Sequence, residues 1–409
     1  MRYVIIGTSA AGLAAAEMIR GRDPAGRITL ISEEEELPYS RPLLTYLLGR
    51  EITPDKIFLK SADYFAAWGF TPKLGKPVVE LDPEAHTLRL ADGELIPFDR
   101  LLIASGAKPR LLGLPGEDLP GVYTLRNLAD VKRLDAGLNP ETPVAVVGGG
   151  AVGIKAAEAL THRGHPVQLI EAEPRLLPRL LDQTAAELLE QALIDQGVEL
   201  FLGVRPNAVL NRQGRVQGLA LADGREVTAG AVLLAVGVEP RTEFITTAGL
   251  AAPEGIPVNS FMQTAKPDIY AAGDCALPRH LLSGEPTAYQ IWPAAVAQGQ
   301  VAGANMAGGR RHYEGLLPMN SISFRGFRII AGGYSAPAAP AAEVITELDR
   351  RRGRYRRLVF QEGRLVGATL VGEVEQAGIY FQIIAQKLPV SNLPADLQAA
   401  EFHPGSLWG

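Results

Sequence analysis

Two short glycine-rich segments carry the residue types and spacing that could do chemistry. The first is Gly7-Thr8-Ser9-Ala10-Ala11-Gly12, a G-x-G-x-x-G arrangement with serine at the second glycine. The second is Gly148-Gly149-Gly150-Ala151-Val152-Gly153, with all three glycines at their places. In such a segment the first glycine permits a tight turn and a small residue at the second place lets the backbone approach a diphosphate. The third lets helix and strand pack closely. The diphosphate is then held by the N–H groups at the positive end of the helix. Each segment is followed by an acid at the end of a second apolar run, where a carboxylate can accept hydrogen bonds from a ribose diol. After the second segment that acid is Glu171. After the first it is Glu33 or Glu34, and one residue of register decides between them. A carboxylate at Glu171 welcomes a free 2′-hydroxyl and repels a 2′-phosphate, which predicts NADH over NADPH. Arg175 and Arg179 follow closely and are read as solvated loop residues.

Each signature needs a strand before it and a helix after it. Arg2 to Ile6 reads as a buried parallel strand, and Ala10 to Arg20 is rich in helix-favouring alanine. Asp23-Pro24-Ala25-Gly26 breaks the chain before a second strand, Arg27 to Ile31. A hairpin around Asp92-Gly93 and an apolar run from Leu101 to Ala104 complete the first set. The order then repeats. Pro143 to Val147 is a strand, Ala156 to His162 a helix, Val167 to Ile170 a strand, Asp223-Gly224 a hairpin turn, and Val232 to Ala235 an apolar run. From about residue 315 the pattern changes, with a Pro- and Ala-rich linker at Ser335 to Pro340 and strand-like runs Leu358-Val359-Phe360 and Leu365-Val366-Gly367-Ala368. The expected fold class is α/β: two Rossmann-like dinucleotide-binding domains plus a small C-terminal α+β domain.

The 409 residues are too many for one core. Hydrophobic residues at 47% and charged residues at 21% describe a globular chain. The formal charge of −5 argues against a nucleic-acid partner, which needs a basic footprint. Cys275 is the single cysteine, so no intrachain disulfide and no Cys-x-x-Cys motif can form. That fits a reducing cytoplasm. No apolar run is long enough to span a membrane, and the N-terminal apolar stretch ends at Glu17, so no targeting segment is expected. Six histidines (His86, His162, His165, His280, His312 and His403) lack metal-ligand spacing, and no metal is expected. Cys275, with no basic neighbour, is read as a buried structural cysteine.

Two such folds with a third domain resemble the flavoproteins with two dinucleotide-binding domains, the family of disulfide reductases and NADH–rubredoxin reductases. The most specific motif is Thr264-Ala265-Lys266-Pro267-Asp268-Ile269-Tyr270-Ala271-Ala272-Gly273-Asp274. The resemblance implies that Asp274 hydrogen-bonds the ribityl and phosphate part of FAD while Gly273 permits close approach. Ala104-Ser105-Gly106 and Ala235-Val236-Gly237-Val238-Glu239-Pro240 look like the family's two crossover strand ends. The family order then places FAD on the first signature and NAD(H) on the second. Tyr289-Gln290-Ile291-Trp292-Pro293-Ala294-Ala295-Val296-Ala297-Gln298-Gly299 looks like the helix whose N-terminus points at the flavin, with Pro293 suited to a first turn.

Departures from the family pattern narrow the expectation. Where relatives carry redox cysteines, this chain reads Leu37-Pro38-Tyr39-Ser40-Arg41-Pro42-Leu43-Leu44-Thr45-Tyr46. Electrons must therefore pass straight between flavin and an external partner. Ser-Arg-Pro-Leu-Leu is similar to the corresponding motif of rubredoxin reductases and nitrite reductase flavin domains, which implies that Arg41 and Pro42 lie along the FAD diphosphate. Lys155 stands where many relatives have a glutamate facing the nicotinamide, and it is the candidate catalytic residue. Gly153-Ile154-Lys155-Ala156-Ala157 is similar to NADH-binding FAD subunits of iron–sulfur oxidoreductases, such as those serving phenylglyoxylate dehydrogenase, carbon monoxide dehydrogenase or tungsten aldehyde oxidoreductase.

The expected activity is hydride transfer between NAD(H) and FAD, with single-electron exchange with an iron–sulfur protein or subunit. The alternatives are a stand-alone NADH oxidase or diaphorase, and a non-catalytic redox-sensing flavoprotein. Expected domains are FAD-binding over 1–112 and 239–314, NAD(H)-binding over 113–238, and a C-terminal interface domain over 315–409. Oligomeric state is left open. Six arginines in Arg350-Arg351-Arg352-Gly353-Arg354-Tyr355-Arg356-Arg357 are expected to form a hairpin turning at Gly353, a basic dock for an acidic partner.

Overall fold

The computed structural model describes residues 1–334 and 342–389. The linker expected at Ser335 to Pro340 and the histidine His403 lie outside the described residues. The chain divides into two compact units. One holds Met1–Leu44, Ile52–Arg110 and Val238–Leu316; the other holds Thr45–Glu51, Leu111–Gly237 and the C-terminal residues from Leu317.

The first unit is built on a five-stranded parallel sheet. Its order is Ile269–Ala271, Arg100–Ile103, Arg2–Ile6, Arg27–Ile31 and Phe70–Lys73. Central strands such as Tyr3-Val4-Ile5-Ile6 are apolar throughout because both faces of the sheet are covered. The Ala10–Arg22 and Trp292–Met306 helices pack against each other through small residues. A Cβ on Gly299 would stand 2.2 Å from the Ala11 carbonyl oxygen, and one on Gly303 would stand 2.5 Å from that of Ala15. The expected hairpin at Asp92-Gly93 joins the antiparallel strands Thr87–Leu90 and Leu95–Pro97.

The second unit repeats the plan. Its parallel sheet runs Val198–Leu202, Val167–Glu171, Val144–Val147, Ala231–Leu234 and Val122–Thr124. Each sheet takes its outermost strand, Ile269–Ala271 or Val122–Thr124, from beyond the repeated segment. The helix after the second glycine segment is Ala151–His162, five residues longer at its start than the expected Ala156 to His162. The glycine turn ends at Gly150, and Gly153 already belongs to the helix. There a Cβ would meet the Gly148 carbonyl oxygen at 1.9 Å.

The C-terminal segment forms the expected α+β layer. Five antiparallel strands run in the order Met319–Phe324, Phe327–Gly333, Arg364–Val371, Arg354–Gln361 and Glu343–Asp349, and the Ala377–Ala385 helix covers them. This layer falls into the same compact unit as the second nucleotide fold. Polar contacts explain the grouping. Asp182 caps the Gln183–Ile194 helix, accepts the Tyr355 hydroxyl at 2.5 Å and pairs with the Arg357 guanidinium at 3.1 Å.

Candidate functional site

The two glycine turns are built alike. Gly7 and Gly148 take φ of +112° and +111°, a region that favours glycine. The Gly7 N–H donates to the Ile31 carbonyl at 2.7 Å, and the Gly148 N–H to the Ile170 carbonyl at 2.8 Å. A Cβ on Gly7 would stand 2.2 Å from the Ala104 carbonyl oxygen; on Gly148 it would stand 2.5 Å from that of Ala235. The run Ala104-Ser105-Gly106 in one half and Ala235-Val236-Gly237 in the other therefore closes over its own glycine turn.

Both following helices present bare N-termini. Ser9 and Gly150 are the N-cap residues, neither makes a side-chain cap, and neither first turn holds an acid. Elsewhere in the second unit the Leu128–Gly137 and Gln183–Ile194 helices are capped, by Asn127 and Asp182. Uncapped N–H groups behind a glycine cradle fit a diphosphate, so the residues present fit the FAD and NAD(H) implied by the sequence.

Exact correspondence of the two turns also orders the acids. Glu173 donates its N–H to the Glu171 carboxylate at 2.8 Å, and Glu34 donates its N–H to the Ser32 hydroxyl at 3.1 Å. Ser32 thus occupies the place of Glu171, and both candidate acids of the first half come later. Glu34 is committed. One carboxylate oxygen takes Arg41 and the other accepts the Tyr39 hydroxyl at 2.5 Å. Glu33 is half exposed and pairs with Arg241. In the second half the Glu171 carboxylate also accepts the Gly149 N–H at 2.5 Å. Arg175 donates to the carbonyls of Leu181 at 3.2 Å and Pro178 at 3.1 Å, so it is tied to its own loop rather than solvated as expected.

The structure brings three distant segments of the first unit to the first turn. A Cβ on Gly273 (φ +83°) would meet the Ala11 Cβ at 3.3 Å, which sets the Gly273-Asp274 turn against the glycine segment. Asp274 also helps to hold the charge on Arg41. Burial of that guanidinium works against its charge, and Tyr39, Glu34 and Asp274 outweigh it. Pro42 follows in the Arg41–Leu43 turn. The Trp292–Met306 helix starts as expected, with Pro293 in its first turn and no side-chain cap. Trp292 and Val296 share a groove of about 620 Å3 with Ala10, Leu13, Ala14 and Glu17. Sequence reasoning missed Gln298. It is fully buried and accepts the Gly273 N–H at 2.8 Å, and the only sequence signal was a polar amide on an alanine-rich helix, which Gln300 two places on shares.

Cys275 lies beside Asp274 but is fully buried, with its thiol toward the carbonyls of Ile103 and Ala272 at 3.5 Å. Burial pushes the thiol up from its ordinary range. Lys155 is not an open cation. Its ammonium pairs with Glu158, donates to the Ser323 carbonyl at 3.0 Å and sits 4.8 Å from the Tyr46 ring centroid. The basic hairpin forms and turns through Gly353, but much of its charge is answered internally. Arg354 pairs with Glu347 and Glu373, Arg356 with Glu347, and Arg357 is buried against Asp182. Only the tip, Arg350 to Arg352, stands out strongly, and Arg350 and Arg352 still lie 3.7 Å from Glu187 and Asp349. Among the described residues no cluster of three metal-ligating side chains occurs, and no helix is long and apolar enough to cross a membrane.

Comparison with known proteins agrees with this geometry. Residues 1–299 match the pyridine nucleotide-disulphide oxidoreductase family, and residues 318–388 match the rubredoxin NAD+ reductase C-terminal domain. The chain is 33% identical over 399 residues to the NADH-dependent phenylglyoxylate dehydrogenase subunit epsilon of Aromatoleum evansii, covering 96% of this chain and 93% of that one. It is 33% identical over 309 residues to rubredoxin-NAD(+) reductase of Pseudomonas putida, covering 75% and 80%. Among solved structures, the ferredoxin reductase for the CYP199A2 system from Rhodopseudomonas palustris superposes with a TM-score of 0.91 at 26% identity, covering 99% of each chain. Twin glycine turns on twin parallel sheets, followed by a matching C-terminal layer, make this chain a member of the pyridine nucleotide-disulphide oxidoreductase family and an FAD-dependent NAD(H) oxidoreductase.

Proposed function

We propose that this protein moves electrons between NADH and an iron–sulfur protein, of the ferredoxin or rubredoxin kind, and that it does so as the NAD(H)-handling component of a larger system. The observation that carries the reading is the pairing of two uncapped dinucleotide turns with a chain whose single thiol is buried. With no cysteine available to relay electrons, the acceptor must be external. Bound FAD would supply the exchange between two-electron and one-electron chemistry. The phenylglyoxylate dehydrogenase subunit and the rubredoxin and ferredoxin reductases among the relatives support the partner class.

In this reading residues 1–112 and 239–314 hold FAD, residues 113–238 hold NAD(H), and residues 315–409 form the interface domain. Gly7, Ser9, Ala10, Ala11 and Gly12 receive the FAD diphosphate, and Arg41 and Pro42 lie alongside it. Glu33 accepts the ribose hydroxyls, being the more exposed of the two acids, while Glu34 is locked in its ion pair with Arg41. Ala104, Ser105 and Gly106 close the turn, Gly273 and Asp274 meet the ribityl end, and Trp292 and Pro293 open the helix aimed at the flavin. For NAD(H), Gly148, Gly150, Ala151, Val152 and Gly153 form the cradle. Val236 and Gly237 close it, and Glu171 holds the ribose. Lys155 supplies positive charge on the hydride path. A cytoplasmic location suits the lone, reduced Cys275.

Anaerobic rapid mixing with NADH, followed by addition of ferredoxin or rubredoxin, tests the reading. Flavin bleaching within milliseconds and fast reoxidation by the iron–sulfur protein are expected. Rapid reoxidation by oxygen or quinone alone would favour the oxidase or diaphorase alternative. No bleaching by NADH would favour a sensor.

A further inference from the structure

We propose that Tyr46 and Glu158 are positioning residues for hydride transfer, holding the Lys155 ammonium in one place so that it acts through its field. The inference rests on the reading of Lys155 as a residue of the hydride path.

Lys155 sits in the second turn of the Ala151–His162 helix, whose first turn carries the proposed diphosphate cradle. Its side chain is 15% exposed, and three separate pieces of chain meet on its nitrogen. The Glu158 carboxylate comes from the next turn of the same helix, the Ser323 carbonyl from the Met319–Phe324 strand, and the Tyr46 ring from the Leu44–Leu48 helix. An ammonium has three hydrogens and no acceptor. Two are directed at oxygens, and the negative face of the tyrosine ring answers the remaining charge. With two hydrogens on oxygens and an aromatic face beside the third, the lysine contributes electrostatically.

Glu158 is itself buried, and desolvation pushes its carboxyl above the ordinary range while Lys155 pulls against that shift. Lys155 therefore favours the charged form of the Glu158 carboxylate, and removal of the lysine leaves that carboxylate buried without its counter-ion. Tyr46 follows Arg41 by five places on a continuous run of turn and helix. Glu158 and Tyr46 supply what a buried cation requires.

The test compares Lys155→Met, Glu158→Gln, Tyr46→Leu and Tyr46→Phe in the holoenzyme. Three quantities are read: the rate of flavin reduction by NADH, the flavin potential by dye titration, and the NAD+ dissociation constant of the oxidised holoenzyme. Lys155→Met should slow reduction about tenfold or more and change the potential. Glu158→Gln and Tyr46→Leu should each slow reduction roughly three- to tenfold, and Glu158→Gln, which leaves the cation without its counter-charge, should move the potential in the direction opposite to Lys155→Met. NAD+ binding should shift by less than about twofold, and Tyr46→Phe, which keeps the ring, should behave as the parent. A wild-type rate and potential in Lys155→Met would overturn the reading of Lys155. An impaired Lys155→Met beside unaltered Glu158→Gln and Tyr46→Leu would overturn the positioning role alone. If Glu158→Gln does not fold, the half-buried Tyr46 pair of variants decides, and equal impairment of Tyr46→Phe and Tyr46→Leu would exclude the ring face.

Discussion

Glu171 carries the sharpest consequence of any single side chain. Its carboxylate is pinned by the Gly149 and Glu173 N–H groups, so in the proposed NAD(H) site it would meet a 2′-phosphate as like charge against like charge. Arg175, the nearby cation that could welcome that phosphate, is tied to the carbonyls of Leu181 and Pro178. NADH should therefore be preferred to NADPH by about 1–3 kcal/mol, roughly 5- to 150-fold in kcat/KM. Glu171→Ala should narrow the gap, and equal kcat/KM values for the two coenzymes in the parent would refute the assignment. Cys275 leads to the opposite expectation. A fully buried thiol whose protonated form is favoured by burial has no route to thiolate chemistry at neutral pH. Cys275→Ser should keep NADH-driven flavin reduction within about tenfold, or 1.4 kcal/mol of barrier, and iodoacetamide should leave the rate unchanged. Glu171 was legible in the sequence because its strand is regular up to the acid itself. Glu33 and Glu34 were not separable there, because the choice depends on where Arg41 and Tyr39 fold back, which adjacency does not encode.

At the scale of elements, the strands and both glycine turns could be read from apolar runs and glycine spacing, which are local signals. The start of the Ala151–His162 helix was misjudged because Gly153 looks like part of a turn, whereas close packing on Gly148 makes it the helix's contact residue. The packing of the Trp292–Met306 helix was not legible either. Gly299 and Gly303 read as weak helix formers until their partners, Ala11 and Ala15, are known. Gly299→Ala should force a shift of the Ala10–Arg22 helix, since the new Cβ would stand 2.2 Å from the Ala11 carbonyl oxygen. A loss of about 1–3 kcal/mol of stability is expected, with weaker FAD binding because Ala11 belongs to the diphosphate turn. A urea midpoint and flavin occupancy equal to the parent's would contradict that packing. The arginine hairpin divides by the same logic. Arg357→Ala, which leaves the Asp182 carboxylate with its cap and the Tyr355 hydroxyl but without its counter-ion, should cost about 3 kcal/mol, while Arg352→Gln at the exposed tip should change the unfolding midpoint little.

For the whole molecule, the first nucleotide fold is discontinuous in sequence, and its cofactor is the means by which its pieces can be tested together. Gly7, Arg41, Gly273 and the Trp292–Met306 helix come from separate stretches of chain yet lie around one turn. A ligand that binds only the folded arrangement stabilises it in proportion to the logarithm of its concentration over its dissociation constant. That amounts to about 2.7 kcal/mol at a hundredfold excess. Asp274 lies in the field of Arg41 and next to a glycine held by buried Gln298, so its position is fixed before FAD arrives. On the proposed assignment its loss would remove a charge-assisted hydrogen bond to the cofactor, a contribution of about 1.5–3 kcal/mol, and should weaken FAD binding roughly 10- to 150-fold. Added FAD should raise the melting temperature of the parent apoprotein. At the same FAD concentration it should raise that of Asp274→Ala much less, and the apoproteins themselves should melt within a few degrees of each other. Full yellow occupancy of purified Asp274→Ala, with an undiminished melting shift, would mean that Asp274 does not hold the cofactor. A large drop in the apoprotein's own melting temperature would mean that the residue serves the fold rather than the ligand.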